Sequence, residues 1–144
     1  MPLDHGPAQA PWPQPHATAS EGFEASRLRF ADRLAPARIP VERIKAPLLL
    51  FGSGQDTTWP SARMAQTIAE QRAATDRGLT TDLMIYPLAG HQICASPYWP
   101  VRLYEHDGEG GSRLDTDAEG EAAVDVWLRT IKFLTVELHA RVSQ

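Results

Sequence analysis

Two apolar runs separated by a helix-like segment form the centre of the chain. The first run, Leu48 to Phe51, is apolar on both faces, which is typical of a parallel-sheet strand that helices cover on both sides. Apolar side chains then recur at helical spacing between Pro60 and Gly78, and a second apolar run, Leu83 to Tyr86, follows. This order predicts a βαβ unit with two adjacent parallel strands, and hence an α/β fold.

The N-terminal flank has a different pattern. Residues 1–20 are rich in proline, which removes backbone donors, and they predict an extended or flexible arm. Ser20 to Leu34 predict a short amphipathic helix that begins at a Ser20 cap and is broken by Pro36 and Pro40.

The C-terminal flank predicts a loop followed by one long helix. Residues 92–115 lack periodicity, and Thr116 with Glu119 fits the capping box that begins a helix. The apolar stripe predicted for this helix consists of Ala123, Val126, Trp127, Ile131, Leu134 and Leu138.

Composition limits the class of partner. The formal net charge of −4 gives no electrostatic reason to expect nucleic acid or an anionic membrane surface. No apolar run reaches the roughly 18 residues of a membrane span, and residues 1–5 lack the basic start of a signal peptide. The single cysteine, Cys94, excludes an internal disulfide and fits a reducing compartment. We therefore expect a cytoplasmic protein without a nucleic-acid partner or a membrane span.

An aspartate and a histidine follow the two predicted strands. Asp56 and His91 both come at the carboxyl edge of the predicted sheet, where open α/β sheets place their sites. Imidazole exchanges a proton near neutral pH, and a carboxylate at Nδ1 fixes its tautomer, so the pair would supply two members of a hydrolytic triad. The alternative is that Asp56 is a turn or cap residue and His91 a loop histidine. No helical His-x-x-x-His spacing indicates a metal, and we expect neither a metal nor a cofactor.

Three motifs carry a family resemblance. They are Ile39-Pro40-Val41-Glu42-Arg43-Ile44-Lys45, Gly52-x-Gly54-Gln55-Asp56-x-x-Trp59-Pro60-Ser61 and Tyr86-Pro87-Leu88-Ala89-Gly90-His91. In this order they resemble the C-terminal region of acyl-CoA thioesterases and bile acid-CoA:amino acid N-acyltransferases, which are dienelactone-hydrolase-like members of the α/β-hydrolase superfamily. Gly110-Gly111 before a helix that bears Trp127 also fits, and the resemblance covers residues 39–138.

This resemblance implies the C-terminal portion of an α/β-hydrolase fold with an incomplete sheet. Residues 1–38 would form the arm and short helix, and residues 39–144 a partial domain that carries the acid and histidine loops. Asp56 matches the triad acid of the family and His91 its base. The implied substrate is an acyl-CoA or another thioester or ester.

The nucleophile that the family requires is missing from its expected place. It stands on a strand-to-helix elbow before the acid, usually within Gly-x-Ser-x-Gly or a Cys variant, and no such elbow precedes Pro47. Three local residues are candidates, each with a plainer alternative. Cys94 is expected to be a partly buried, inert thiol, Ser53 a turn residue, and Ser61 a residue that helps a helix to start.

Three functional hypotheses remain open. The chain is the C-terminal part of a thioester hydrolase or acyltransferase, because of truncation, gene splitting or a misplaced start, and is inactive alone. Alternatively, it is a binding or assembly module that has lost catalysis, or a small hydrolase that uses Cys94. A strand such as Leu48 to Phe51 with one neighbour leaves an open edge, so we also expect self-association or a partner chain there.

Overall fold

The structure is a computed structural model that describes residues 18–75, 78, 80–94 and 116–142. Most of the predicted N-terminal arm and most of the predicted loop at 92–115 lie outside the described residues. The described helices are α1 (Ala19–Arg29), α2 (Ala31–Ala37), α3 (Ser61–Ala73) and α4 (Thr116–Val142), with 3₁₀ turns at Val41–Arg43 and His91–Cys94. The strands are β1 (Leu48–Ser53) and β2 (Thr81–Tyr86).

The predicted βαβ unit is present. Strands β1 and β2 pair in parallel, from Leu48 opposite Thr81 to Ser53 opposite Tyr86, with α3 between them in the chain. Helix α3 packs against both strands, and a Cβ at Gly52 would lie only 2.6 Å from the Ala62 Cα. Glycine at this position therefore allows α3 to begin directly against the end of β1. The mixture of helices with a two-stranded parallel sheet is compatible with the predicted α/β class.

A small apolar core lies between the sheet and the first half of α4. Ala89 and Ile93 are buried together with Ala122 and Val126 of α4, and Phe51 and Tyr86 pack against this cluster. The leucines of β1 are only half-buried in the described part, so the prediction of a strand covered on both faces is fulfilled incompletely.

The predicted stripe of α4 is buried only near its start. Ala123 and Val126 are buried, whereas Trp127, Ile131, Leu134 and Leu138 are between 43 and 59% exposed. The cause is a difference in length. A helix of 27 residues spans about 40 Å, while the six-residue strands span about 20 Å. The second half of α4 therefore extends past the described sheet.

The N-terminal helix differs from its prediction in two ways. Its cap is Thr18, which forms a reciprocal capping box with Glu21, and not Ser20. It is also split in two at Phe30, which has non-helical backbone angles, and Pro36 lies inside the second piece, α2. Pro36 has no N–H to donate to the Asp32 carbonyl oxygen, and α2 ends one residue later, at Ala37. No helix in the described part of the chain is long and apolar enough to cross a membrane.

A buried arginine ties the amino ends of the strands together. Arg72 of α3 is 2% exposed, and its guanidinium donates to the hydroxyl of Thr81 and to four carbonyl oxygens. These belong to Val41, Ile44, Ala46 and Thr80. The charge is compensated by oriented carbonyl dipoles, so this end of the βαβ unit is fixed by polar contacts opposite the carboxyl edge.

Candidate active site

The structure brings Asp56 and His91 into hydrogen-bond contact. Nδ1 of His91 lies 3.1 and 3.2 Å from the two carboxylate oxygens of Asp56. The aspartate belongs to the acid turn (residues 54–59), which follows β1, and the histidine to the histidine loop (residues 87–94), which follows β2. Parallel pairing places both at one edge of the sheet, as the sequence predicts.

Backbone hydrogen bonds hold the acid turn against the histidine loop. The Gly54 amide donates to the Tyr86 carbonyl oxygen at 2.9 Å, and the Gln55 amide donates to the Ala89 carbonyl oxygen at 3.0 Å. A Cβ at residue 54 would lie 2.4 Å from the Pro87 carbonyl oxygen, closer than side chains normally approach. Glycine at 54 therefore permits the backbone approach that brings Asp56 within reach of His91.

The Asp56 carboxylate is buried and rich in donors. Its side chain is 3% exposed, and Oδ1 accepts the amides of Thr58 and Trp59, both at 2.9 Å. Burial alone would raise the pKa of Asp56. Hydrogen bonds from the Trp59 amide, from His91 and from the Thr58 amide outweigh burial and hold this pKa below its ordinary value. Asp56 is therefore a carboxylate at neutral pH.

The ionised aspartate decides the tautomer of His91. A carboxylate has no proton to donate, so the contact at Nδ1 requires that the imidazole carries its proton there. In the neutral ring Nε2 is then left with a free lone pair. The His91 side chain is 36% exposed, so it remains open to a reacting group. The pair thus has the arrangement of a general base with its orienting acid.

Helix α1 lies across the acid turn and adds an aromatic wall. The Ser20 amide donates to the Thr57 carbonyl oxygen at 2.9 Å, and Arg63 of α3 pairs with Glu24 of α1. The rings of Phe23 and Trp59 lie 4.8 Å apart, and Trp59 is 6.4 Å from the His91 ring. Trp59 therefore lies between helix α1 and the surroundings of the imidazole.

None of the three candidate nucleophiles hydrogen-bonds His91 within the described residues. Ser61 instead bridges to β1, because its hydroxyl oxygen accepts the Ser53 amide at 3.1 Å. Ser53 is the buried last residue of β1, and its hydroxyl has no hydrogen-bond partner. Cys94 is exposed rather than partly buried, yet partial desolvation raises the pKa of its thiol, which keeps it in the poorly nucleophilic form. The described residues also hold no group of three or more His, Cys, Asp or Glu side chains suited to a metal.

One buried residue near the site has a contact that its sequence context does not predict. Glu119 is the predicted capping-box partner of Thr116, and its carboxylate accepts the amide of Gln92, which directly follows His91. The pattern contains a signal for this. Glu119 lies three, four and seven positions before Ala122, Ala123 and Val126, so an acidic residue shares the buried helix face.

Comparison with known proteins identifies the family of the chain. The sequence profile of the family described as BAAT / Acyl-CoA thioester hydrolase C terminal matches residues 17–140, so the chain belongs to this family. The resemblance expected from the sequence is confirmed.

A curated relative gives a more particular likeness. The peroxisomal succinyl-coenzyme A thioesterase of Mus musculus is 30% identical over 118 residues, which cover 75% of this chain. The aligned region is 27% of the mouse protein, so the chain spans about a quarter of that relative's length. No solved structure matches the chain significantly.

Proposed function

We propose that this chain is the acid-and-base part of an acyl-CoA thioester hydrolase or acyltransferase, and that a separate segment must supply its nucleophile. The observation that carries the proposal is the Asp56–His91 hydrogen bond at the carboxyl edge of the sheet. Membership of the family described as BAAT / Acyl-CoA thioester hydrolase C terminal supports acyl transfer as the chemistry of this pair. The His91 side chain is partly exposed, and its Nε2 would receive the proton of the group that the separate segment supplies.

In the completed site His91 is the general base and Asp56 its orienter. Nε2 takes the proton of a serine hydroxyl or a cysteine thiol as the serine Oγ or the cysteine Sγ attacks the thioester carbonyl carbon. The Asp56 carboxylate stabilises the imidazolium that forms. The carbon–sulfur bond then breaks, and the imidazolium returns the proton to the departing CoA thiolate. Water or an amino acid finally accepts the acyl group, with His91 again removing its proton.

The first test uses the chain alone. We expect it to hydrolyse succinyl-CoA and a long-chain acyl-CoA at no more than the background rate, because catalysis without a nucleophile is only residual. Thiol release can be followed with a chromogenic disulfide. Turnover that disappears in His91→Ala would contradict the proposal.

The second test completes the site. Residues 17–140 replace the matching region of the mouse thioesterase, and succinyl-CoA hydrolysis is measured. In an active chimaera, His91→Ala and Asp56→Asn should lower kcat by about 10²- to 10⁴-fold. The exposed His139 provides the matched control, since His139→Ala should leave the rate unchanged. An active chimaera that is indifferent to His91→Ala would refute the role of this histidine.

Reading the coding DNA upstream of Met1 tests the proposal in a different way. An in-frame or frameshifted Gly-x-Ser-x-Gly, or its cysteine variant, would support a split or shortened hydrolase. Its absence would favour the alternative, a binding or assembly module derived from a hydrolase.

The cytoplasmic location expected from the sequence is part of the proposal, whereas the mouse relative is named as a peroxisomal enzyme.

The alternative also has an observation of its own. Within the described residues β1 pairs with β2 alone, so its second edge presents backbone donors and acceptors to a further strand. We propose that a partner chain or a second copy covers this edge. Light scattering coupled to size exclusion should then show association, or the isolated chain should unfold at modest temperature. A stable monomer with a high melting temperature would exclude this.

A further inference from the structure

We propose that Glu119 is a positioning residue for the proposed active site. Its buried carboxylate fixes the backbone of the histidine loop next to His91 and so keeps the imidazole against Asp56. The inference rests on the proposed role of His91, and it adds a residue that the acid–base pair alone does not contain.

The contact is direct and lies next to the proposed base. Glu119 is 0% exposed, and its Oε1 accepts the amide of Gln92 at 2.5 Å. The two residues are 27 positions apart in the chain, so this bond connects α4 to the histidine loop. Because Gln92 is bonded covalently to His91, a shift of its amide moves the base of the imidazole side chain.

Apolar packing accompanies this hydrogen bond. Ala89 and Ile93 lie on either side of His91 in sequence, and both are buried against Ala122 and Val126. Such contacts bring the loop onto α4, but dispersion and burial are not directional. The carboxylate–amide bond is directional, so it specifies the orientation that packing leaves undetermined.

The conformation of Gln92 shows where such support is needed. The 3₁₀ turn His91–Cys94 departs from helical geometry at this residue, with φ −91° and ψ 15°. Gln92 is the second residue of the turn, so the turn itself provides no acceptor for its amide. An acceptor from outside the turn fixes the amide at this kink.

Burial of the Glu119 carboxylate costs free energy, which indicates that the residue has a role beyond packing. Its second oxygen, Oε2, is buried without a hydrogen-bond partner. Removing a carboxyl group from water with so few partners is unfavourable, and an apolar side chain on this helix face would avoid that cost. The amide of Gln92 is the group that Glu119 holds in return.

The test measures the tautomer of His91 by ¹⁵N NMR of the full chain, together with hydrogen exchange of the Gln92 amide. Comparison with His91→Gln assigns the ring signals. In the wild-type protein we expect the Nδ1–H tautomer and a protected Gln92 amide. Glu119→Gln keeps an acceptor oxygen and should preserve both. Glu119→Leu should yield a mixture of tautomers and speed exchange of the Gln92 amide at least about tenfold.

A variant on the exposed face of the same helix provides the control. Glu121→Leu removes an acid of equal size and should change neither signal. The proposal is overturned if folded Glu119→Leu retains the wild-type tautomer and Gln92 protection. If Glu119→Leu does not fold, the wild-type protein and Glu119→Gln decide between the outcomes. A protected Gln92 amide in both wild type and Glu119→Gln supports the proposal, and an unprotected one in either overturns it.

These readouts do not require catalysis. An inactive chimaera with normal His91 and Gln92 signals would count against the proposed function while leaving the positioning role intact. Normal activity in a Glu119→Leu chimaera with an unchanged pH profile would count against the positioning role alone.

Discussion

Replacing Gly54 by alanine should disrupt the proposed active site through a single methyl group. The added Cβ would lie 2.4 Å from the Pro87 carbonyl oxygen and 2.9 Å from its Cα and carbonyl carbon. Contacts under 3.0 Å are essentially never seen for real Cβ atoms, so the acid turn and the histidine loop must separate by at least the difference. All three Pro87 atoms belong to the backbone, so no side chain can rotate to relieve the overlap.

This separation acts on three hydrogen bonds. The bonds from Gly54 to Tyr86 and from Gln55 to Ala89 would lengthen to about 3.5 Å, outside the usual range for N–H···O contacts. The Asp56–His91 contact would lengthen similarly. Overpacking typically costs about 1–3 kcal/mol and each of the three weakened hydrogen bonds roughly a further 0.5–1.5, so Gly54→Ala should lower the free energy of unfolding by about 3–7 kcal/mol.

Urea unfolding followed by circular dichroism measures this cost, and ¹⁵N NMR reports the His91 tautomer. Gly120 provides a matched control, because a Cβ there meets nothing within 4 Å. Since Gly120 lies inside α4, Gly120→Ala should raise stability by about 0.5–1 kcal/mol. Equal stability of Gly54→Ala and wild type, with an unchanged His91 spectrum, would refute the close-approach argument.

Three further predictions concern buried groups. Folding lowers the pKa of Asp56, so the ionised carboxylate stabilises the fold above pH 3.8, the ordinary pKa of the group. This stabilisation is lost as the pH falls through the folded pKa. Asp56→Asn should remove this part of the pH dependence of the free energy of unfolding. Arg72→Ala leaves buried carbonyl oxygens without donors, so it should lower the free energy of unfolding by at least about 3 kcal/mol, measured by thermal or urea unfolding. Arg63→Ala, the control, breaks an exposed ion pair and should lower it by less than about 1 kcal/mol. Burial and a hydrogen bond to Asp125 raise the pKa of Tyr86 to about 12. The contribution of the Tyr86 hydroxyl to stability is therefore complete below pH 10 and is lost as the pH rises towards 12. Ultraviolet titration should show a late phenol transition that Tyr86→Phe removes. A Tyr86→Phe titration that matches wild type would contradict this assignment.

Local patterns in the sequence predict the centre of the fold and the pairing of Asp56 with His91. Continuous apolar runs and helical periodicity are determined by nearby residues, and parallel pairing then brings two strand ends to one edge. The roles of Gly54 and Glu119 depend instead on contacts with distant segments. A glycine in a turn looks the same in sequence whether it provides conformational freedom or makes room for another loop.

The errors of the sequence predictions have both tertiary and local origins. The stripe of α4 extends along the whole helix, but which part of it is buried depends on the length of the strands beneath it. Thr18 was overlooked as the cap of α1 because it lies at the edge of the proline-rich arm, although Glu21 three positions later completes its capping box. The hydrogen bond between Glu119 and Gln92 joins segments 27 positions apart, so the local capping pattern does not reveal it.

The Asp56–His91 pair is organised by residues that belong to the chain itself. Backbone amides hold the carboxylate ionised, Gly54 allows the two loops to meet, and Glu119 anchors the amide beside His91. None of these contacts requires a nucleophile. A segment that completes the site therefore has to supply the attacking atom and the donors for the oxyanion, but it does not have to build the geometry of the base. The tautomer of His91 should consequently be the same in the isolated chain and in an active chimaera, and a change of tautomer on completion would show that the missing segment organises the pair after all.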